Sequence, residues 1–306
     1  MGLACEVCGS RADFTPIADG RDYLVHESER TFRALRCIRC GFAFLDSRGL
    51  DATTYYSSSY FRAGEAPAAL LGRLAMLYLC REARRLARMV PNARNILEIG
   101  PGKGSFLRAL AATYPEARIT GFDVSRDAGD VYHLDDRVRL CYEENLAKAG
   151  FEDGEFDLIV MRHVLEHVPR VRSFLPEINR VVGRACSLYV KVPNLESWAA
   201  RIFGRHWYGF DFPRHLYYFT PDTLTRLLGG SGFRQTASGH ENDAVDWAGS
   251  LRFWLAEREI GRKDSGRDVT LLALLGVRTL LLPLGTLVQA AHASSRLWVL
   301  ARKDGE

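Results

Sequence analysis

The sequence predicts an α/β protein, an open doubly wound sheet of mostly parallel strands with a small metal-binding lobe ahead of it. Three observations carry that expectation. Residues 95–110, "NILEIGPGKGSFLRAL", read as an apolar strand ending near Glu98, a turn through Gly100, Gly102 and Gly104, and a helix. A second apolar strand, "RITGFD", closes on Asp123, 25 residues after Glu98. Ahead of both, Cys5 and Cys8 form one C-x-x-C and Cys37 and Cys40 another, with 28 residues between the pairs.

The elements follow in chain order. The opening "MGLACEVCGSRADF" has no apolar stretch of signal-peptide length, so a cytoplasmic chain with reduced or metal-bound cysteines is expected. Each cysteine pair is followed by a glycine, Gly9 and Gly41. Two such knuckles closing on one another give four thiolates in a tetrahedron, the donor set of structural zinc. A redox dithiol is the alternative. Four sulfur ligands leave no open position, so this zinc would shape a lobe rather than catalyse. Cys80, Cys141 and Cys186 lie in apolar periodic contexts and are expected as core thiols. "DATTYYSSSYF" is a polar, aromatic loop in which Tyr56 is a candidate substrate contact. The helix after it puts Leu79, Ala83, Leu86 and Val90 on one stripe, with Arg81, Arg84, Arg85 and Arg88 opposite, and Pro91 stops it.

Glycine tolerates positive φ and lets a ligand approach the backbone, so the turn after Glu98 opens a nucleotide-type site. A dinucleotide-binding dehydrogenase is one reading of it. A pyrophosphate needs a helix N-terminus free of negative charge, however, and Glu98 stands directly before the glycines. Its carboxylate suits an ammonium, while Asp123 can accept both hydroxyls of a ribose.

On "EIGPGKG" and Asp123 the chain resembles the class I methyltransferases that use S-adenosylmethionine. That resemblance implies a Rossmann-like, seven-stranded methyltransferase sheet. In it Glu98, Gly100, Gly102 and Gly104 cradle the amino-acid end of the cofactor, and Asp123 with Val124 holds the ribose side. "VRLC" reads as a third strand, and the family places Glu143 and Asn145, just past it, near the adenine. "EFDLIVMRHVLEHV" supplies a buried fourth strand that delivers "RHVLEHV" to the carboxyl edge of the sheet, so Arg162 and His163 are cofactor-pocket candidates. Glu166 and His167 are read as ordering the loop. "HVLEH" lacks the H-E-x-x-H spacing of a zinc protease. "ACSLYVKVPN" gives a fifth strand, and "RLWVLARK" resembles the closing strand of the same fold.

Substrate contacts are expected in "FGRHWYGFDFPRHLYYFTPDTLTRLLGGSGF", where aromatic residues crowd among Asp211, Arg214 and His215. Thr220 and Pro221 cap the helix that follows. Methyl transfer is an in-line displacement on an activated carbon, so alignment supplies much of the rate, and an oxygen or carbon acceptor also has to lose a proton. His215 is the expected base, with Asp211 orienting it and Arg214 binding an anionic group. A salt bridge between Arg214 and Asp211 that merely holds the loop is an equal alternative. His163 and Tyr217 are reserve catalytic candidates, and Trp207, Tyr208 and Tyr218 are candidate acceptor contacts. The phrase "DFPRHLYYF" resembles one in bacterial methyltransferases of saccharide and secondary-metabolite pathways, some of which carry an amino-terminal zinc ribbon.

The expected division is a zinc-ribbon lobe over 1–48, the aromatic loop and amphipathic helix over 49–90, and an S-adenosylmethionine-binding methyltransferase domain over 91–306. Within that domain lie a substrate loop at about 197–220 and a helical insertion at about 244–292. Residues 269–291 carry one charge, Arg278, and one proline, Pro283. An arginine mid-bilayer costs roughly 2.5–3.5 kcal/mol, so a core or dimer face is favoured over a span, with peripheral membrane contact as the alternative. The 41 basic residues mix with 37 acidic ones for a net charge of +4, which counts against a nucleic-acid partner. The expected function is methyl transfer to a small-molecule acceptor such as a sugar, glycolipid or secondary metabolite, anionic or lipid-linked. The alternatives are an rRNA or tRNA methyltransferase that uses its ribbon on RNA, and a non-catalytic scaffold.

Overall fold

A computed structural model describes residues 3–24, 30–50, 55, 69–125, 135–241, 244–258 and 294–304. The apolar run before the glycine turn forms β4 (Asn95–Ile99), the centre of a seven-stranded sheet. On one side it pairs in parallel with β5 (Arg118–Asp123), which pairs with β6 (Val138–Tyr142). On the other side it pairs in parallel with β7 (Phe156–Arg162), which pairs with β8 (Val182–Pro193). Antiparallel strands β11 (Arg296–Lys303) and β10 (Phe233–Glu241) complete the order β10-β11-β8-β7-β4-β5-β6. The chain leaves β4 toward β5 and later returns to β4's other side as β7. The gap between β4 and β7 is therefore the switch point where an open sheet binds its ligand.

Strand alternation sorts side chains onto two faces. Ile96, Leu158, Val160 and Tyr189 face one way, toward α1 (Ala69–Met89) and α2 (Ser105–Thr113), whose Leu86, Phe106 and Leu110 complete that core layer. Leu97, Ile99, Ile159, Met161 and Val190 face the other way. There they meet Leu175 and Ile178 of α3 (Val171–Val181) and Leu224 and Leu227 of α5 (Pro221–Gly229). The start of α5 is fixed by a reciprocal cap: Thr220 Oγ1 accepts from the Thr223 N–H and Thr223 Oγ1 accepts from the Thr220 N–H, with Pro221 at the first helical position.

The amino-terminal lobe is built from β1 (Phe14–Gly20), β2 (Phe32–Cys37) and β3 (Ala43–Leu45). Its fourth strand comes from far along the chain: β9 (Tyr217–Tyr218) pairs with β3 in the registers Ala43↔Tyr218 and Phe44↔Tyr217. Phe42 stacks on Tyr217 with ring centroids 5.6 Å apart. The lobe and the aromatic loop thus share one sheet and one core. Two short helices flank that loop. They are α4 (Trp198–Phe203), capped by the Ser197 hydroxyl, and α6 (Ala244–Arg258), whose Ser250 Oγ accepts from the Tyr208 N–H at 2.9 Å. The apolar run 269–291 and Tyr56 lie outside the described residues. Among the described residues no helix is long and apolar enough to cross a membrane.

Candidate active site

The glycine turn lies at the carboxyl end of β4, and Gly100, Gly102 and Gly104 all have positive φ, +65°, +51° and +68°. Their reasons differ. A Cβ on Gly100 would come within 2.5 Å of Val164 Cγ2, so this glycine lets the loop after β7 pack against the turn. A Cβ on Gly102 would meet nothing within 4 Å, leaving backbone open to a ligand.

Glu98 is 2% exposed, and among the described residues its Oε2 has no hydrogen-bond partner. Burial pushes its carboxyl up to about 8, with Arg162 nearby acting in the opposite direction. An unpartnered buried carboxylate is costly, and a cationic group laid against it would remove that cost. At the end of β5, Asp123 Oδ1 accepts from the Ser125 N–H at 3.2 Å. Burial raises its carboxyl, against the pull of the Ser125, Val124 and Gly102 amides. Val124 beside it is 66% exposed, a bare apolar wall next to the acid. Glu143 stands past β6, its N–H donating to the Asp123 carbonyl at 3.3 Å. Asn145 is committed elsewhere: its side chain accepts from the Lys148 N–H and caps a short 3₁₀ turn.

Arg162 carries a correction. Alternation from Val160 turns its side chain to the α1 face, where it donates to both oxygens of Glu82 at 3.2 and 3.0 Å and lies over the Phe106 ring. Lys191, wholly buried, pairs with the same carboxylate at 3.0 Å and with Glu241. Burial alone would raise Glu82, but Arg162 and Lys191 overcome it and hold the carboxyl at about 2. The guanidinium therefore ties α1 to the sheet and stands only in electrostatic range of Glu98. Counting by twos from Leu158 would have revealed its direction; the Lys191 pairings leave no local trace in sequence.

His163 follows β7 in the left-handed region, φ +55°, with its N–H donating to the Lys191 carbonyl at 2.8 Å. A non-glycine residue held there costs of order 1–3 kcal/mol and persists only where its surroundings fix it. Its Nδ1 is 3.4 Å from Glu166 Oε1.

Glu166 and His167 come from the turn after β7, and His215 from the aromatic loop, and main-chain bonds clamp the two segments together. The Glu166 carbonyl accepts from the Leu216 N–H at 2.7 Å, and His167 Nδ1 is 3.1 Å from the Arg214 carbonyl. The ordering role expected for the Glu166–His167 pair is thus present in the main chain. Sequence reasoning missed the side chain. Glu166 is fully buried, and both its oxygens lack a hydrogen-bond partner among the described residues. Burial pushes this carboxyl up to about 8 and drives His167 down to about 3, His215 acting in the same direction on His167. His215 Nδ1 lies 2.8 Å from the Gly209 carbonyl, and its Nε2 is 3.9 Å from Asp211 Oδ2. Burial lowers His215 also, against the pull of Asp211.

Three further expectations change. Arg214 does not face an anionic substrate. It is wholly buried, bidentate to Asp22 at 2.8 and 2.8 Å, and bonded to Asp211 at 2.6 and 3.1 Å. It binds the amino-terminal lobe to the loop, as the salt-bridge alternative held, with Asp22 as a partner no motif announced. Tyr217 is no catalytic candidate: its hydroxyl accepts from the Val171 N–H at 3.5 Å and its ring lies on Phe42. Trp207 and Tyr218 are 1% and 2% exposed and pack on Phe210, so they build the loop rather than line its surface. Tyr208 is partly exposed and packs on Phe253 of α6.

In the amino-terminal lobe the four cysteine sulfurs lie within 4.8 Å of one another, with Cys5 Sγ 3.4 Å from Cys40 Sγ and Cys8 Sγ 3.6 Å from Cys37 Sγ. The two knuckles repeat one geometry. Gly9 N–H donates to the Cys5 carbonyl and Gly41 N–H to the Cys37 carbonyl, both at 2.8 Å, with φ of +72° and +77° at the glycines.

Comparison with known proteins bears on this geometry. Residues 73–238, more than half of the chain, match the family described as methyltransferase domain. A ubiquinone biosynthesis O-methyltransferase of Ralstonia nicotianae is 33% identical over 103 residues, covering 32% of this chain and 39% of that protein. The corresponding enzyme of Psychrobacter arcticus is 26% identical over 195 residues, covering 59% of this chain and 73% of its own length. Among solved structures, an S-adenosylmethionine-dependent methyltransferase from Thermotoga maritima superposes with a TM-score of 0.51 at 16% identity, covering 83% of this chain and 98% of its own.

Proposed function

The chain belongs to the methyltransferase-domain family, and from that premise we propose that it transfers the methyl group of S-adenosylmethionine to a hydroxyl of a small-molecule acceptor. The observation that carries the reading is the buried, unpartnered carboxylate oxygen of Glu98 immediately before the glycine turn, at the switch point between β4 and β7. It fits the ammonium of the cofactor's amino-acid end. Gly102 leaves the backbone open to a close approach, and Asp123 with Val124 offers an acceptor for ribose hydroxyls beside an apolar wall. The bound cofactor supplies a methyl group on a sulfonium, so the protein's work is to hold, align and exclude water.

An acceptor hydroxyl meets the other half of the site, the residues after β7 and the aromatic loop. His215 is the proposed base, a reading supported by its Nδ1 lying 2.8 Å from the Gly209 carbonyl: a ring that donates there from Nδ1 carries its lone pair on Nε2. His163, 28% exposed at its side chain, has its Nδ1 3.4 Å from Glu166, and its chain neighbour Val164 meets Gly100 of the glycine turn. O-methyltransferases among the relatives support oxygen as the acceptor atom. A sugar, glycolipid or secondary-metabolite acceptor is the proposed class. The evenly mixed surface charge supports it over RNA, whose binding leans on clustered cations. The four cysteines are proposed to hold a structural zinc, since four sulfurs this close, with no open position, match its donor set.

Calorimetry with S-adenosylhomocysteine tests the cofactor half, and transfer of labelled methyl to hydroxylated acceptors tests the rest. Binding weakened about ten- to a hundredfold in Glu98→Gln is expected, the scale of one lost hydrogen bond to a charged group. Equal affinity in that variant, or no binding by the native chain, would sink the reading.

A further inference from the structure

We propose that Glu166, His167 and His215 form a second metal site, separate from the four cysteines, that takes a divalent transition-metal ion through one carboxylate oxygen and two imidazole nitrogens. One ligand atom from each of these residues lies within 4.8 Å of the others. Two imidazoles and a carboxylate with further positions open are a donor set for Zn, Fe(II), Mn or Co, borderline ions that oxygen-only cages do not favour.

Three features make this more than proximity. First, His215 Nδ1 and His167 Nδ1 each face a backbone carbonyl, Gly209 at 2.8 Å and Arg214 at 3.1 Å. A ring that donates from Nδ1 carries its lone pair on Nε2, and an outer hydrogen bond of this kind is what orients a metal-binding histidine. Second, Glu166 is wholly buried and, although His163 Nδ1 stands 3.4 Å from its Oε1, neither oxygen is hydrogen-bonded among the described residues, which is rare for a buried carboxylate in native proteins. A cation is the partner that would satisfy it. Third, the nearby charges suit a dication. Arg214 pairs with Asp22 and Asp211, and Arg296, the other cation acting on Glu166, pairs with Asp246, so four carboxylates stand against two guanidiniums here, and Asp211 Oδ2 is 3.9 Å from His215 Nε2.

The inference rests on the proposed acceptor side of the site and alters one role there. With the ion bound, His215 is a ligand rather than the base. An acceptor hydroxyl on an open position would lose its proton to water as the metal polarises the oxygen; that oxygen would then take the methyl as the sulfonium–carbon bond breaks.

The test uses the full chain stripped of metal and titrated with Co(II). Two equivalents are expected: one with the intense near-ultraviolet thiolate charge-transfer bands of the cysteine site, the second adding only weak visible bands. Glu166→Gln and His167→Gln should each keep the thiolate bands, which report a folded lobe, and weaken the second equivalent at least about tenfold. A single equivalent in the native chain, or two undiminished equivalents in both variants, overturns the proposal. Calorimetry with S-adenosylhomocysteine on the same samples separates this outcome from failure of the methyltransferase reading, which would remove cofactor binding and leave the cobalt count unchanged.

Discussion

Glu98 shows how one residue can be chemically loaded before any ligand arrives. Its carboxyl, raised by burial to about 8 against an ordinary 4.5, binds a proton in the folded chain that the unfolded chain releases above pH 4.5. Its share of stability is therefore fully present below about pH 4.5 and is lost as pH rises through 8. An ammonium placed against it pulls its pKa down, so cofactor binding near pH 7 should expel close to one proton, falling toward none above pH 9. Calorimetry in two buffers of different ionisation enthalpy reads that number directly. A proton count of zero at pH 7 in the native chain would show that Glu98 is not the ammonium partner. Glu98→Gln should abolish the release.

At the scale of elements, the turn after β4 and the loop after β7 interlock through Gly100 and Val164. Gly100→Ala would put a methyl 2.5 Å from Val164 Cγ2 on a backbone with φ +65°. A loss of about 1–3 kcal/mol is expected in urea unfolding, of which the simultaneous Val164→Ala should recover the steric part and leave the backbone part. The second element-level link is β3 with β9. Cys37→Ser, by opening the proposed zinc site, should loosen the aromatic loop as well as the knuckles. Limited proteolysis should then cut within 204–216, a region largely buried in the native chain; cleavage there no faster than in the native chain would uncouple the two. These elements differ in how far the sequence announces them. The sheet strands after Asn95 declare themselves by apolar runs, and the glycine turn by its spacing, because both are set by local backbone and burial. β9 is two residues long and exists only because β3 lies beside it, and the Arg162–Glu82–Lys191 network joins positions 82, 162 and 191. Pairings that distant leave no periodicity to read. Asp211, Arg214 and His215 lie together, as their closeness in sequence implies, but the direction of Arg214 is set by Asp22, a partner nearly two hundred residues away.

For the molecule as a whole, Arg214 is the rivet between the amino-terminal lobe and the aromatic loop. Arg214→Met removes the counter-charge of two buried carboxylates and should cost about 3–5 kcal/mol. The native chain should unfold in one transition, with tryptophan fluorescence and the cobalt–thiolate absorbance changing together, because the lobe and the loop share a core. Arg214→Met should lower that single midpoint or split it in two. An unchanged midpoint would mean that the ion pairs are dispensable.

The strand order carries a consequence for how the chain is made. β11 sits between β8 and β10, and β10 reaches the sheet only through it. Residues 242–295 must therefore be synthesised after β10 before its partner exists. At roughly 5–20 residues per second on the ribosome, β8 waits several seconds as a bare edge. That edge is apolar on one face, with Leu188, Val190 and Val192 alternating along it, and an open apolar edge is a template for wrong pairing. Nascent chains arrested just before Arg296 are where chaperone dependence and aggregation should concentrate.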